Sequence, residues 1–341
     1  MAVIGIVANP ASGKDVRRLV ARASVFDNQE KRAIVRRALT GAVSAGARQF
    51  VYHNDAHGIV SQAIEEVVQS LGISDMNATP VDSTQTGTAL DTISSARAMK
   101  DIGCDVVMTL GGDGTNRAFC LGWADAPLLP MSTGTNNVFP RVYEATIAGA
   151  AAGLIATQRV GKQAFVQQKC IEISIEGERD DLALIDAVLT DQVFVGARAL
   201  LHPEQFRSAL LTRAQPDAVG ITAIGGLVQP IDAEAPNGLW LEFGPDAMTV
   251  SAPIAPGLFR KIGVSAFQPL ALHQTVRCVG PGTLAFDGER ERTLKPGQAA
   301  TLTITPRGPL VLDVHAVMHV AARDGIFRKP VQLAQPTISQ E

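Results

Sequence analysis

The chain has 341 residues, 46% hydrophobic and 18% charged, with a formal net charge of −3. That length favours two domains, and the composition supplies a large core, which excludes a disordered chain. The slightly acidic balance leaves no basic footprint for nucleic acid or an anionic membrane surface, so neither is expected as a partner.

In chain order, AVIGIVA (Ala2–Ala8) reads as a buried strand that breaks at Pro10 and lacks the basic flank of a signal peptide. Asn28–Gly46 reads as a helix, with Ile34, Val35, Ala38, Leu39 and Ala42 on one stripe and Gly46 as its stop. Strand and helix signals then alternate: Arg48–Asn54 as strand, Ala56–Gly72 as helix, Asn77–Thr84 as a short strand and Thr88–Gly103 as helix. Cys104–Leu110 follows as a buried strand, Gly111–Gly122 as a turn into a helix, and Ala126–Thr133 as another strand. Repeated β-α units predict a doubly wound parallel sheet with helices on both faces. Thr146–Ala156 is apolar but too short to span a membrane and reads as a buried helix.

After about Gly161 the pattern changes to short alternating runs set off by Gly and Pro. These are Phe165–Gly177, Leu182–Gly196, Gly220–Ile231, Gly238–Gly244, Met248–Ile254, Arg260–Leu270, Gln274–Gly280, Thr283–Glu289 and Ala300–Pro306. They predict an antiparallel, β-sandwich-like domain, interrupted by one helix at His202–Ala214. Pro253–Phe259 reads as a turn. Leu310–Val320 reads as a strand, which makes His315 and His319 a structural pair and not a metal site. The expected boundaries are 1–159 for the α/β domain, 160–320 for the β-rich domain and 321–341 for a C-terminal segment that packs back on the first. The last ten residues, Gln332–Glu341, are polar and loosely held. Cys104, Cys120, Cys170 and Cys278 are scattered, without a metal or disulfide framework; reduced thiols in a cytoplasmic protein are expected. Self-association is left open.

The chemistry concentrates at strand ends. The loop NPASGK (Asn9–Lys14) nearly matches a P-loop, but Ala8 stands at the first glycine and Asp15 where a metal-binding hydroxyl belongs. GGDGT (Gly111, Gly112, Asp113, Gly114, Thr115) has a chance expectation on the order of one in a thousand for a chain this long. Its glycines let backbone approach a phosphate, and the following helix offers unpaired N–H groups to an anion. Asp113 is badly placed for phosphate itself and points instead to Mg²⁺ or to a substrate hydroxyl whose proton it accepts. A third loop, STGTNNVFPR (Ser132–Arg141), is rich in hydroxyls and amides. All three lie where an open α/β sheet binds ligands.

GGDGT is the signature of the superfamily of NAD kinases, bacterial diacylglycerol kinases and sphingosine kinases. NPASGK resembles the lipid-kinase N-P-x-x-G element. GTNNVFPR resembles G-T-x-N-D-F-A-R, with Val138 in the acid's place, and FDGERE resembles the downstream D-G-E element. As a whole the chain resembles the ATP-NAD kinase-like family linked to acetoin catabolism. The resemblance implies a nucleotide site for ATP with Mg²⁺ formed by Asn9, Ser12, Gly13, Lys14, Gly111, Gly112, Gly114, Thr115, Thr133, Gly134, Thr135 and Asn137. It gives catalytic roles to Asp113, Asp287 and Glu289, with Asp287 at the metal and either Asp113 or Glu289 as base, and substrate contacts to Asp186 and Asn116. ALIDAV (Ala183–Val188) stands where NAD kinases carry A-L-N-E-V, so Ile185 replaces the substrate-holding Asn and Asp186 the Glu. The expected activity is phosphoryl transfer to a hydroxyl of NAD(H) or a related small molecule. A weakly catalytic nucleotide-binding regulator and a lipid kinase are the alternatives.

Overall fold

The computed structural model describes residues 2–13, 27–134, 137–191 and 202–328. Five parallel strands open the chain: β1 (Val3–Ala8), β2 (Gln49–Tyr52), β3 (Asn77–Pro80), β4 (Val106–Gly111) and β5 (Pro127–Ser132). Helices α1 (Asn28–Ser44), α2 (Ile59–Leu71), α3 (Ala89–Ile102) and α4 (Asp113–Gly122) join or follow them, and α5 (Ala145–Ala156) follows β5. β1 and β4 are buried almost throughout, as expected of parallel strands covered on both faces. β6 (Phe165–Gln167) leads out of this layer.

The second part is antiparallel. β7 (Cys170–Ile175), β8 (Asp181–Ala183), β9 (Asp186–Thr190) and β10 (Phe206–Leu211) precede a short helix, α6 (Ile221–Val228). Then come β11 (Asn237–Ala255), β12 (Leu258–Ala271), β13 (Thr275–Val279), β14 (Gly282–Phe286), β15 (Glu289–Leu294) and β16 (Ala299–Thr305). They form a six-stranded sheet, β12-β11-β10-β9-β14-β15, and a four-stranded one, β13-β16-β7-β8. A shared core of Ile171, Ile173, Leu189, Leu210, Leu284, Phe286 and Leu302 lies between them. The chain then returns: β17 (Leu310–Leu312) pairs parallel with β5 and antiparallel with β6, completing a seven-stranded sheet in the order β3-β2-β1-β4-β5-β17-β6. The final described helix, α7 (Val314–Arg323), packs against α5. The architecture is therefore a parallel α/β sheet followed by antiparallel β-rich sheets, as the sequence predicts.

Three local expectations are corrected. His202–Ala214 is not a helix: after one short turn it runs as β10, an interior strand between β9 and β11. Pairing of Ser208–Leu211 on both sides outweighs the helical spacing of Phe206, Ala209 and Leu210. Gly220–Ile231 is not a strand but contains α6, whose Gly226 lies so close to Gln215 that an added Cβ would come within 2.3 Å of that backbone. Leu310–Val320 is a strand for only three residues. Asp313 then caps α7 by accepting from Ala316 N–H at 2.9 Å, and His315 and His319 lie on its exposed face with ring centroids 4.1 Å apart. Elsewhere, the runs Gly238–Gly244 and Met248–Ile254 merge into one strand, β11, and the Pro253–Phe259 turn becomes the tip of the β11–β12 hairpin. All four cysteines are free and buried. Among the described residues no helix is long and apolar enough to cross a membrane. The tail Gln332–Glu341 lies outside the described residues.

The tightest helix contact in the first layer is α1 against α5. A Cβ on Gly149 would sit 1.8 Å from the Ala38 carbonyl oxygen, and one on Gly41 would sit 1.9 Å from the Thr146 carbonyl oxygen. Backbone meets backbone here, so no side chain can swing aside, and an added methyl must push the helices apart. Gly149→Ala should therefore destabilise the protein by at least about 2 kcal/mol despite alanine's better helix propensity. Urea unfolding monitored by far-ultraviolet circular dichroism would show this; an unchanged midpoint would mean that the α1–α5 contact is looser than described.

Candidate functional site

From β1 the chain steps outward through β2 to β3, and β4 then returns to the other side of β1. The loops leaving β1 and β4 therefore diverge and open a crevice beyond the strands' carboxyl ends. The first loop is tied across it. Asn9 N–H donates to the Leu110 carbonyl at 3.0 Å, and Asn9 Nδ2 donates to Thr115 Oγ1 at 2.8 Å. Ser12 Oγ donates to the Asn9 carbonyl at 2.8 Å, and Gly13 takes a φ of 77°, which glycine adopts without strain. The third loop joins in: Thr133 N–H donates to the Gly111 carbonyl at 3.3 Å, and its Oγ1 donates to Ser12 Oγ at 3.0 Å. Asn137 Nδ2 donates to Ser132 Oγ at 2.7 Å, which in turn donates to the Gly134 carbonyl at 2.7 Å. The three strand-end loops thus form one cross-linked surface. Lys14 and Thr135 lie outside the described residues.

A residue not singled out in the sequence holds this surface together. Lys31, on α1, is 0% exposed, and its ammonium donates to the carbonyls of Asn9, Pro10 and Ser12 at 3.0, 2.9 and 2.7 Å. Its only sequence signal is a lysine set in the first turn of a helix among polar neighbours, which ordinarily marks a solvated face.

Within GGDGT, a Cβ on Gly111 would lie 2.5 Å from Thr115, so only glycine allows the sharp exit from β4. Gly114 sits in the first turn of α4 beside Asp113. Asn116 is 0% exposed: Thr109 Oγ1 donates to its Oδ1 at 2.7 Å, and its Nδ2 donates to the Gly112 carbonyl at 2.9 Å. It fastens the loop from inside and does not face a substrate. Asp113 is half-buried and its carboxylate accepts from the N–H groups of Val138 and Phe139, at 3.1 and 2.8 Å to Oδ1. Where the related motif carries an acid, the Val138 backbone instead steadies Asp113.

The β-rich part supplies the facing wall. Asp287, on the turn between β14 and β15 with φ 50°, accepts from the N–H groups of Leu184, Ile185 and Asp186 at 2.7 to 3.2 Å. Complete burial pushes its carboxyl up to about 6, against the lowering effect of those amides and of Arg117, while Asp113 adds to the rise. Asp186 lines the same cleft and is 6% exposed. Ile185 does not line it: its side chain is 1% exposed in the buried cluster with Leu184, Phe139 and Cys170. The side chain of Glu289 lies outside the described residues. Arg117, just beyond GGDGT, donates to Asp181 at 2.6 Å, and Arg292 donates to the other Asp181 oxygen at 3.0 Å, so a buried carboxylate clamps α4 to β8 and β15. Arg213 is 5% exposed, donates to Gln168 Oε1 at 2.9 Å, and is pushed down to about 10 by burial, partly offset by the nearby charges of Asp113 and Asp287.

Between the two parts lies a cleft of about 490 Å³, counted to its open mouth. Asp113, Val138, Asp186, Asp287 and Gly288 form one side of its lining, with Phe206, Val219 and the start of α6 on the other. Among the described residues no group of three His, Cys, Asp or Glu side chains is placed to hold a metal ion. Asp287 Oδ1 accepts from the amides of Leu184, Ile185 and Asp186, and its Oδ2 accepts from Leu184 alone, at 3.0 Å.

Comparison with known proteins agrees with this layout. Residues 4–160 match the model of the ATP-NAD kinase N-terminal domain, and residues 169–307 match the acetoin catabolism protein X C-terminal domain. The chain is 35% identical to acetoin catabolism protein X of Cupriavidus necator, over 98% of this chain and 95% of that protein. Among solved structures it is similar in fold to yeast NADH kinase complexed with NADH, with a TM-score of 0.50 at 13% identity, covering 98% of this chain and 90% of that one. A diacylglycerol kinase from Bacillus anthracis str. Sterne aligns with a TM-score of 0.44 at 12% identity, over 93% of this chain and 98% of that one.

Two predictions follow from these contacts. Lys31→Met keeps the length of the side chain but removes the ammonium from all three carbonyls, of which that of Asn9 still accepts from Ser12. It should cost about 1–3 kcal/mol in urea unfolding, and Lys31→Arg should recover part of that; equal stability of all three proteins would remove Lys31 from this role. Asp287 has its pKa raised in the folded state, so its contribution is most favourable below its unfolded value of 3.8 and is lost as pH rises through about 6. Relative to Asp287→Asn, the wild type should lose up to about 3 kcal/mol of stability between pH 4 and 7. Parallel pH profiles of unfolding for the two proteins would contradict that.

Proposed function

The chain belongs to the acetoin catabolism protein X family, and from that premise we propose that it is an ATP-dependent phosphotransferase whose acceptor is a hydroxyl of NAD(H) or a related small molecule. The observation that carries this reading is the cross-linking of three strand-end loops through Asn9–Thr115 and Ser12–Thr133, directly beside Asp113 at the floor of the cleft. Phosphoryl transfer leaves little covalent chemistry to the protein, so positioning and charge neutralisation dominate. The hydroxyls of Ser12, Thr115 and Thr133, and the backbone around Gly111, Gly112, Gly114, Gly134 and Asn137, hold the triphosphate in this reading. The start of α4 turns its N–H groups toward the same place.

Asp113 is the carboxylate we assign to the acceptor. It is half-exposed toward the cleft, and the Val138 and Phe139 amides fix its orientation. It receives the hydroxyl proton as the oxygen attacks. Bound together with ATP, Mg²⁺ would supply charge neutralisation for the transfer; among the described residues no group of three His, Cys, Asp or Glu side chains would hold it without the nucleotide. Asp287 acts one step back, holding the Leu184–Asp186 backbone in place, so that Asp186 reaches the cleft. Four buried, unpaired thiols accord with a reducing cytoplasm. A role in acetoin catabolism is carried over from the relative's name as part of the proposal.

A second reading, a nucleotide-binding regulator, is favoured by Asp287's engagement with three backbone amides. The two are separated by experiment. Millimolar ATP with Mg²⁺ should raise the melting temperature under either reading, since a ligand that prefers the folded state stabilises it by about 2.7 kcal/mol at a hundredfold excess over Kd. No shift and no calorimetric signal would end both. Under the enzyme reading, Asp113→Asn should lose ~10²-fold or more in turnover while retaining ATP binding. Absence of ATP-dependent transfer in the wild type, with ATP bound, would leave the regulator.

A further inference from the structure

The acceptor side of the cleft has a composition of its own. Its polar groups are almost all carboxylates: Asp113 from α4, Asp186 at the start of β9 and Asp287 from the β14–β15 turn, with Thr222 as the hydroxyl. An ionised carboxylate can only accept hydrogen bonds, so a partner bound here must donate them. The remaining walls are apolar: Val138, Phe206, Val219, Ile221, Ile224 and Ile254. Among the described residues that line the cleft there is neither lysine nor arginine. Of the two buried guanidiniums nearby, Arg117 is paired with Asp181, and Arg213 donates to Gln168 while its charge acts on Asp113 and Asp287 from behind; neither is among the residues that line the cleft.

We propose that the acceptor this cleft takes is an uncharged compound carrying two or more hydroxyls on a largely apolar skeleton, in preference to a phosphate-bearing dinucleotide; this rests on the phosphotransferase reading above. Hydroxyls donate to the Asp186 and Asp113 oxygens, and the carbon skeleton lies against Phe206 and the first turn of α6. A phosphate or pyrophosphate in the same space would face like charge with no cation among the described lining residues to answer it, which both weakens binding and misplaces the reacting hydroxyl. A purely cationic ligand has no oxygen to phosphorylate. In the transfer itself, the acceptor O–H proton passes to the Asp113 carboxylate and the oxygen forms a bond to the γ-phosphorus. The bond from that phosphorus to the β,γ-bridging oxygen breaks, and ADP leaves with the electron pair. The products are a phosphate monoester, ADP and one proton. The monoester is itself poorly held by the carboxylates, which favours its release.

The inference predicts a ratio, measurable without turnover. Nucleotide-free protein is titrated by ligand-observed NMR with matched pairs: adenosine and adenosine 5′-monophosphate, ribose and ribose 5-phosphate, glycerol and glycerol 3-phosphate, together with NAD. At least one uncharged member should bind tenfold or more tightly than both its phosphorylated partner and NAD. Tighter or equal binding of the phosphorylated member in every pair, preference for NAD, or no binding by any uncharged compound would overturn the proposal. Asp186→Asn should shrink the ratio several-fold. Val219→Lys, at a partly exposed wall position, adds a cation without disturbing the buried carboxylates and should shift preference toward the phosphorylated member. A ratio untouched by a folded form of either variant would mean that the compound binds elsewhere. Failure of ATP to bind would end the phosphotransferase reading while leaving this ratio interpretable, so the two fail separately.

Discussion

The arrangement of the loop after β1 rests on one buried cation. The loop after β1 turns three carbonyl oxygens toward the protein, and the Lys31 ammonium meets all three. An ammonium offers three donors and no acceptor, so it can hold a carbonyl-lined concavity that no neutral side chain of its size can satisfy. With those carbonyls turned inward, Asn9 and Ser12 direct their side chains across the crevice to Thr115 and Thr133. The loop that nearly reads as a P-loop is therefore a different construction. A lysine of α1 pulls the loop in from behind.

The same logic governs the facing wall. Asp287 gathers the N–H groups of three successive residues, and this fixes the approach of β9 to the cleft. Asp181 ties the α/β part to the β-rich part, accepting from Arg117 on α4 and from Arg292 on β15. Burying an ion pair brings little net stability, because desolvation offsets most of the attraction, but breaking one member leaves an uncompensated charge. Such contacts serve better to specify geometry than to stabilise the fold. Here they lie on both sides of the segment that carries Asp186.

Much of the fold was legible because its signals are local. GGDGT follows a buried strand and opens a helix, and the β-α alternation sets the sheet class before any contact is known. The structure brings Asn9, Ser12, Gly111, Thr115, Thr133 and Asn137 into one surface because each lies within a few residues of a strand end. What was not legible depends on partners far along the chain. Lys31 meets residues about twenty positions earlier, and Arg117 meets Asp181 with 64 residues between their numbers. The strand at Phe206–Leu211 was misread for the same reason: Phe206, Ala209 and Leu210 fit a helical stripe until β9 and β11 claim both of its edges. Asn116 was misread in the opposite direction. Its motif position suggested a substrate contact, whereas its amide closes the motif on itself.

The position of Ile185 changes how the acceptor wall is to be understood. Read from the motif alone, an aliphatic residue replacing an amide removes a hydrogen bond to substrate. In the structure the Ile185 side chain belongs to the core, and only its backbone serves the site, giving its N–H to Asp287 and accepting from Thr212 through its carbonyl. An isoleucine there offers no polar atom to strand, and it anchors the strand by burial. Asp186, at the next position, is the side chain of this segment that lines the cleft, held there by the neighbouring backbone bonds. The strand-end loop surface, built from backbone and hydroxyls, and the facing wall, built from carboxylates on an apolar frame, are set by separate contacts. The second can therefore change without disturbing the first.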